Sequence, residues 1–250
     1  MNIILLGFLG SLAAGLATGV GAVPALFTTK VSPRAMNGLL GFAAGVMLAA
    51  TSFSLLVPAI ELGGVWIALL GLAVGAGFLH LLDRVLPHEH FAMGPEGPSS
   101  SLRRTWLFVI AITLHNFPEG IAVGVGFGGG DIGAATALAI GIGLQNMPEG
   151  LAVALPLIRE RYSRRKAFGI ALLSGLVEPV GGLLGVAAVT MAASLLPLGL
   201  AFAAGAMLFV ISDEIIPETH RVDNAADSRL ATGGLIAGFV VMTALDNLLG

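Results

Sequence analysis

The chain has 250 residues, of which 56% are hydrophobic and 11% are charged, and its formal net charge is −3. A soluble globular domain carries roughly 25% charged residues, so a fully water-soluble fold is excluded. A chain without a basic surplus also lacks the electrostatic footprint of a nucleic-acid-binding protein. The absence of Cys excludes disulfides, thiolate metal sites and cysteine nucleophiles. The composition indicates a polytopic membrane protein surrounded by the lipid bilayer.

Eight segments are apolar over about the 20 residues that a helix needs to cross a bilayer. In chain order they cover roughly residues 3–27, 36–58, 63–85, 105–127, 132–158, 167–192, 196–216 and 230–249. The connection at 86–104 is rich in Pro, Gly and Ser, as loops are. We therefore predict that residues 1–250 form a single all-α transmembrane domain with eight spans.

The positive charges predict the orientation of these spans. All twelve Lys and Arg lie in or beside the connections that follow spans one, three, five and seven. The other three connections, around Glu61, Asp131 and Pro197, contain none. Because basic loops stay in the cytoplasm, we expect both termini outside a multi-pass protein of the plasma or inner membrane.

Two internal repeats indicate the arrangement of the spans. The segment LHNFPEGIAV at 114–123 recurs as LQNMPEGLAV at 144–153, in spans four and five, which run in opposite directions. A fainter repeat relates GFAAGVML at 41–48 to AFAAGAML at 201–208. The sequence therefore predicts a 3+2+3 inverted-repeat arrangement, which is typical of secondary transporters with a site near the membrane midplane.

Polar side chains inside the spans are the candidate functional residues. They are His115, Asn116 and Glu119 in span four, Gln145, Asn146 and Glu149 in span five, and Glu178 in span six. One ionised carboxylate at the bilayer centre costs on the order of 2.5–3.5 kcal/mol. A group of carboxylates at this depth must therefore be protonated, paired or neutralised by a cation.

The spacing of these residues favours a bound cation. His115 and Glu119 are four residues apart and share one face of a helix, and Gln145 and Glu149 have the same spacing. Imidazole suits Zn, Fe, Cu or Ni, whereas carboxylate and amide oxygens suit harder cations. The mixture predicts a divalent transition metal that is bound weakly enough to leave. Polar residues that only kink the helices and hydrogen-bond between them are the alternative.

Five further residues are candidates for an ion pathway: Met47, Asp213, Glu214, His88 and His90. For Met47, packing in the core is the simpler interpretation. The two histidines fall in the 86–104 connection, where a solvated loop is an equally good interpretation. Small-residue pairs in spans three and eight predict close helix packing within the chain or between the protomers of a homodimer.

The paired motifs HNFPEG and QNMPEG resemble the signature of the ZIP (Zrt/Irt-like protein) family of metal transporters. The resemblance covers the whole chain. It implies uptake of divalent transition metals into the cytoplasm, chiefly Zn²⁺ and also Fe²⁺, Mn²⁺ or Cd²⁺, with no other cofactor. Many members have His where Gln145 begins the second motif, and this difference is similar to the GufA-like bacterial branch.

The same resemblance implies a binuclear metal centre and an elevator-like movement. Its main site would consist of His115, Glu119, Gln145, Glu149 and Glu178. Its second site would add Asn116 and Asn146 to bridging Glu119, Glu149 and Glu178. Spans one, four, five and six would move against spans two, three, seven and eight.

Two other functions stay open from the sequence. One is a divalent-metal channel or facilitator on the same scaffold. The other is an intramembrane metallohydrolase, which would need an open coordination position and usually two or three His ligands.

Overall fold

The computed structural model describes residues 2–90, 94–96, 104–220 and 225–250. Eight of its helical segments are long and apolar enough to cross a membrane, which confirms the predicted number of spans. Five spans are single helices: span one Ile3–Ala22, span three Val65–Val85, span four Arg104–Gly128, span five Ile132–Arg159 and span eight Ala225–Leu249. A short 3₁₀ turn, Val23–Leu26, continues span one.

Spans two and seven each contain a π-helical stretch. Span two consists of Pro33–Ala49, the π-helical Ala50–Leu56 and Val57–Gly63, and span seven of Leu196–Val210, the π-helical Ile211–Ile215 and Ile216–His220. Pro58 and Pro217 follow these stretches closely. A proline lacks an N–H group and clashes with the carbonyl four residues earlier, so the widened turn accommodates it. The sequence predicted regular helices in both places.

Span six is broken, although its sequence predicted one continuous helix over 167–192. It consists of the helices Arg164–Gly175 and Glu178–Met191, followed by the 3₁₀ turn Ala193–Leu195. Pro179 lacks an N–H group and clashes with the carbonyl four residues earlier, so it is tolerated in the first turn of a helix and not in its interior. The second helix of this span accordingly begins at Glu178, with Pro179 in its first turn. The break places this carboxylate in the first turn of a helix, where the helix dipole stabilises negative charge.

The connection between spans three and four contains a short antiparallel hairpin. Its strands are His88–His90 and Gly94–Glu96, with His88 opposite Glu96 and His90 opposite Gly94. The first strand packs against span four. Part of the connection that the sequence predicted as a loop is therefore ordered against the membrane domain.

Four helix pairs make the most extensive contacts: spans two and eight, three and seven, four and six, and one and five. Span one also contacts spans four and six, whereas the end of span two contacts spans three and seven. The eight spans thus fall into a first helix group (spans one, four, five and six) and a second helix group (spans two, three, seven and eight). Spans two and eight meet span five, and span seven meets span four, where the groups join.

The small-residue faces pack within the chain. Gly71 and Gly75 of span three lie against span seven, while Gly234 and Gly238 of span eight lie against the backbone of span two. At Gly75 a β-carbon would collide with the Phe202 carbonyl. The two helix pairs of the second group therefore use close backbone contact that larger residues would prevent.

We predict that Gly75→Val lowers stability by about 1–3 kcal/mol, because the added side chain forces spans three and seven apart. Thermal unfolding of the purified protein in detergent measures the effect. Gly77→Val is the matched control, since Gly77 lies in the same helix and a β-carbon there meets open space. Equal losses in the two variants would contradict the packing described for Gly75.

Candidate metal site

The seven motif residues come together in the first helix group. All are buried, and none is more than 4% exposed. They project from spans four, five and six, as predicted: His115, Asn116, Glu119, Gln145, Asn146, Glu149 and Glu178. Such a concentration of buried polar groups within a membrane domain requires compensation from the protein or from a bound ion.

Amide groups hold two of the three carboxylates. The Gln145 side chain donates from Nε2 to Glu119 Oε1 at 2.5 Å. Asn146 donates from Nδ2 to Glu178 Oε1 at 2.6 Å and to the carbonyl of Ala14 in span one at 2.9 Å. Each amide therefore ties one carboxylate of the cluster to span five.

Asn116 stabilises the break in span six. Its Nδ2 donates to the carbonyl of Ser174 at 3.0 Å, close to the point where the first half of that span ends. The glycines of the two motifs assist this packing. A β-carbon on Gly120 would collide with the Glu178 carbonyl, and one on Gly150 would collide with the Thr18 carbonyl. These glycines allow spans six and one to approach directly beside Glu119 and Glu149.

Hydrogen bonding by the amide donors leaves many oxygens of the cluster without a donor. Among the described residues, seven buried oxygens of the motif have no hydrogen-bond partner: Asn116 Oδ1, Glu119 Oε2, Gln145 Oε1, Asn146 Oδ1, Glu149 Oε1, Glu149 Oε2 and Glu178 Oε2. An unsatisfied buried group costs about 1–3 kcal/mol. A buried set that contains only acceptors must be compensated by protonation or by a cation.

His115, Glu149 and Glu214 line one small cavity of about 20 Å³. A volume of this size admits one water-sized species. Its remaining walls are apolar and include Phe108 and Ile112. His115 Nε2 forms an ion-pair contact with Glu214 Oε2, so the π-helical stretch of span seven brings a carboxylate of the second group onto the first.

Glu149 has charged neighbours in both helix groups. It interacts electrostatically with Glu119, Glu178 and His115 of the first group and with Glu214 of the second. Across the described ranges, however, no three His, Asp or Glu side chains converge closely enough to hold one ion. The hydrogen bonds to Glu119 and Glu178 direct one oxygen of each carboxylate toward an amide.

The other pathway candidates lie in different surroundings. Met47 is fully buried in the apolar core, and Asp213 is half-buried next to Glu214. His88 is 1% exposed, with Nδ1 2.9 Å from the Leu86 carbonyl and Nε2 3.5 Å from Asp83 Oδ1. A solvated position for His88 is therefore wrong. The side chain of His90 lies outside the part of the chain that the structure describes.

Two kinds of polar contact were missed by sequence reasoning. The carbonyls of Ala14 and Ser174 complete the cluster, yet any residue supplies a carbonyl and no pattern marks these two. Asp246 accepts a hydrogen bond from Ser54 Oγ at 2.7 Å, a contact between spans eight and two that no motif in the sequence marks. This link is visible only in the folded protein, which brings Ser54 of span two beside the carboxylate in span eight.

Known proteins resemble this chain over most of its length. The family model described as "ZIP Zinc transporter" matches residues 87–246. The chain belongs to the ZIP family. It is 46% identical to the zinc transporter GufA of Myxococcus xanthus, over 98% of this chain and 99% of that protein. It is 44% identical to the zinc transporter ZIPB of Bordetella bronchiseptica, over 97% and 81%, and 37% identical to zinc transporter ZIP11 of Xenopus tropicalis, over 99% and 98%.

Membership of the ZIP family confirms the resemblance found in the two motifs. It identifies a multi-pass membrane transporter and not an enzyme. The intramembrane metallohydrolase hypothesis is therefore wrong for this ZIP protein. The buried cluster of spans four to six is the candidate metal site of this transporter.

We predict that Asn146→Ala destabilises this ZIP protein by about 1–3 kcal/mol, because the Ala14 carbonyl and Glu178 both lose a buried donor. Thermal unfolding in detergent without added metal measures the change. Asn247→Ala is the control, since Asn247 also donates to a backbone carbonyl, but in an exposed position. Its effect should stay within about 0.5 kcal/mol, and a similar loss in both variants would contradict a special role for Asn146.

Proposed function

We propose that this ZIP protein carries divalent transition-metal ions, with Zn²⁺ first among them, across the cell membrane into the cytoplasm. One observation carries the proposal. Glu149 is a buried carboxylate in which neither oxygen has a hydrogen-bond partner, and it shares a cavity with His115. A divalent cation at this position neutralises charge that the membrane interior disfavours.

The donor set favours a metal of intermediate hardness. Imidazole, carboxylate and amide oxygens occur together, and thiolates are absent from the sequence. Zinc accepts both nitrogen and oxygen ligands. We propose Fe²⁺, Mn²⁺ and Cd²⁺ as further substrates of the transporter. The relatives are named as zinc transporters, which supports Zn²⁺ as the first ion to test.

We further propose that the centre binds two ions that share Glu149. The main site uses His115, Glu119, Gln145, Glu149 and Glu178, and the second site uses Asn116 and Asn146 with the same three carboxylates. The electrostatic interactions of Glu149 with His115 and with both other carboxylates support its assignment to both sites. Binding requires Gln145 and Asn146 to turn their oxygens toward the ion, because their nitrogens now contact Glu119 and Glu178.

The charge distribution supports an orientation with both termini outside, since the basic connections alternate with connections that lack cations. The helix pairs support the proposed inverted repeat. In such a repeat, spans one, two and three correspond to spans six, seven and eight, and span four corresponds to span five. The contacting pair of spans two and eight then corresponds to the contacting pair of spans seven and three. The pair of spans one and five likewise corresponds to the pair of spans six and four. A homodimer stays a prediction.

We expect Glu149→Gln to reduce Zn²⁺ uptake by at least about tenfold, because outer-shell changes alone cost this much in metal affinity. Uptake is measured in proteoliposomes that enclose a zinc-sensitive fluorophore. Glu160→Gln is the matched control, since Glu160 directly follows the same helix and lies outside the cluster. It should transport at the rate of the unmodified protein.

Binding measured on the same variants separates transport from folding. The Glu149→Gln protein should remain monodisperse in detergent and lose calorimetrically detected Zn²⁺ binding. Normal uptake by this variant would refute the site. Loss of uptake in both variants would show that the assay reports damage to the fold and not loss of a ligand.

We propose that transport proceeds by movement of the first helix group against the second, as in an elevator. The motif residues all lie in the first group, whose helices contact one another closely. Span four of this group meets span seven of the other, and that junction would slide.

A disulfide across the junction tests this movement. A β-carbon at Gly199 would lie 3.9 Å from Val125 Cβ, within the range of about 3.5–4.5 Å found in disulfides. The double variant Val125→Cys/Gly199→Cys should lose Zn²⁺ uptake on oxidation and regain it on reduction. The chain contains no native Cys that would interfere.

The control disulfide joins two spans of the first group. A β-carbon at Gly126 would lie 3.7 Å from Ala135 Cβ in span five. Oxidation of Gly126→Cys/Ala135→Cys should leave uptake unchanged, because these residues move together. Undiminished uptake with an oxidised Val125–Gly199 link would overturn the elevator proposal and favour the channel or facilitator.

A further inference from the structure

A second cavity, unrelated to the polar cluster, lies between spans three, four, six and seven. Its volume is about 350 Å³. Every residue that lines it is apolar, and the walls include Val74, Val125, Leu184, Ala188 and Phe202. Water has no hydrogen-bond partner in such a space.

The cavity reaches the surface that faces lipid. Val74 and Leu184 are 51% and 55% exposed, and both are residues of membrane spans. Protein interiors are close-packed. A space of this size that opens at an apolar surface is therefore filled by the solvent that surrounds that surface. For these spans the solvent is the hydrocarbon of the bilayer.

We propose that this cavity is a binding site for one acyl chain of a membrane phospholipid. An acyl chain is slender, flexible and entirely apolar, as the walls require. A helix of a second protein copy has a diameter of about 10–12 Å, which is too wide to enter a cavity of about 350 Å³. The acyl chain lies where the two helix groups meet, because spans four and six form one wall and spans three and seven form the other.

Quenching by brominated lipid tests the site. The protein carries Trp66→Phe, Trp106→Phe and Phe202→Trp, which leaves a single indole on the cavity wall. In liposomes of phosphatidylcholine brominated along its acyl chains, this indole should be strongly quenched relative to unbrominated liposomes. Absence of quenching would overturn the proposal.

Filling the cavity should remove the effect. Ala188→Phe, added to the same protein, places a ring in the space and should abolish most of the quenching. Val74→Phe fills it from the opposite wall and replaces the first variant if that one is not monodisperse. Leu183→Phe is the matched control, since Leu183 lies on the same helix as Ala188, faces lipid and does not line the cavity. Quenching that persists in a filled variant would overturn the proposal.

A second copy of the chain is the competing occupant. Leu184→Cys gives the protein a single thiol at the rim of the cavity, since the sequence has no Cys. Disulfide-linked dimers through this residue, together with an unquenched indole, would overturn the proposal. They would show that a second copy of the chain, and not an acyl chain, covers the cavity. Monomers with a quenched indole support the acyl chain.

Discussion

A polar group inside a membrane must be satisfied by the protein itself or by what the protein binds, because lipid offers no hydrogen bonds. This constraint explains the arrangement around Glu149. The side-chain amides of Asn116 and Asn146 donate to main-chain carbonyls of spans six and one, and their oxygens remain for other partners. Donors are thus used for structure, while acceptors accumulate in the centre.

The same constraint makes glycine important at the helix contacts. Gly120 and Gly150 follow the motif glutamates directly, and each lies against a carbonyl of a neighbouring span. Such contacts bring backbones close together where lipid provides no hydrophobic force between helices. The resulting first helix group carries the motif residues as one packed unit, and Glu214 of span seven meets it from outside.

Much of this architecture could be predicted from the sequence. Hydropathy and the length of a membrane span define the eight helices, and the two motifs place six polar residues on neighbouring helices. The π-helical stretches before Pro58 and Pro217 could not be derived, since a proline in a span also permits a simple kink. Burial of His88 depends on contacts made after folding. The carbonyls of Ala14 and Ser174 carry no signal in sequence at all.

In the proposed metal centre, the hydrogen bonds from Gln145 to Glu119 and from Asn146 to Glu178 would also affect how long a cargo ion stays. An arriving ion replaces these bonds, so part of the energy gained by coordination is offset by the energy of the bonds that are lost. When the ion departs, the amides return to their carboxylates and compensate the charge left behind. On this proposal both effects weaken the hold on the ion and shorten its residence time, so the buried carboxylates favour rapid turnover over retention.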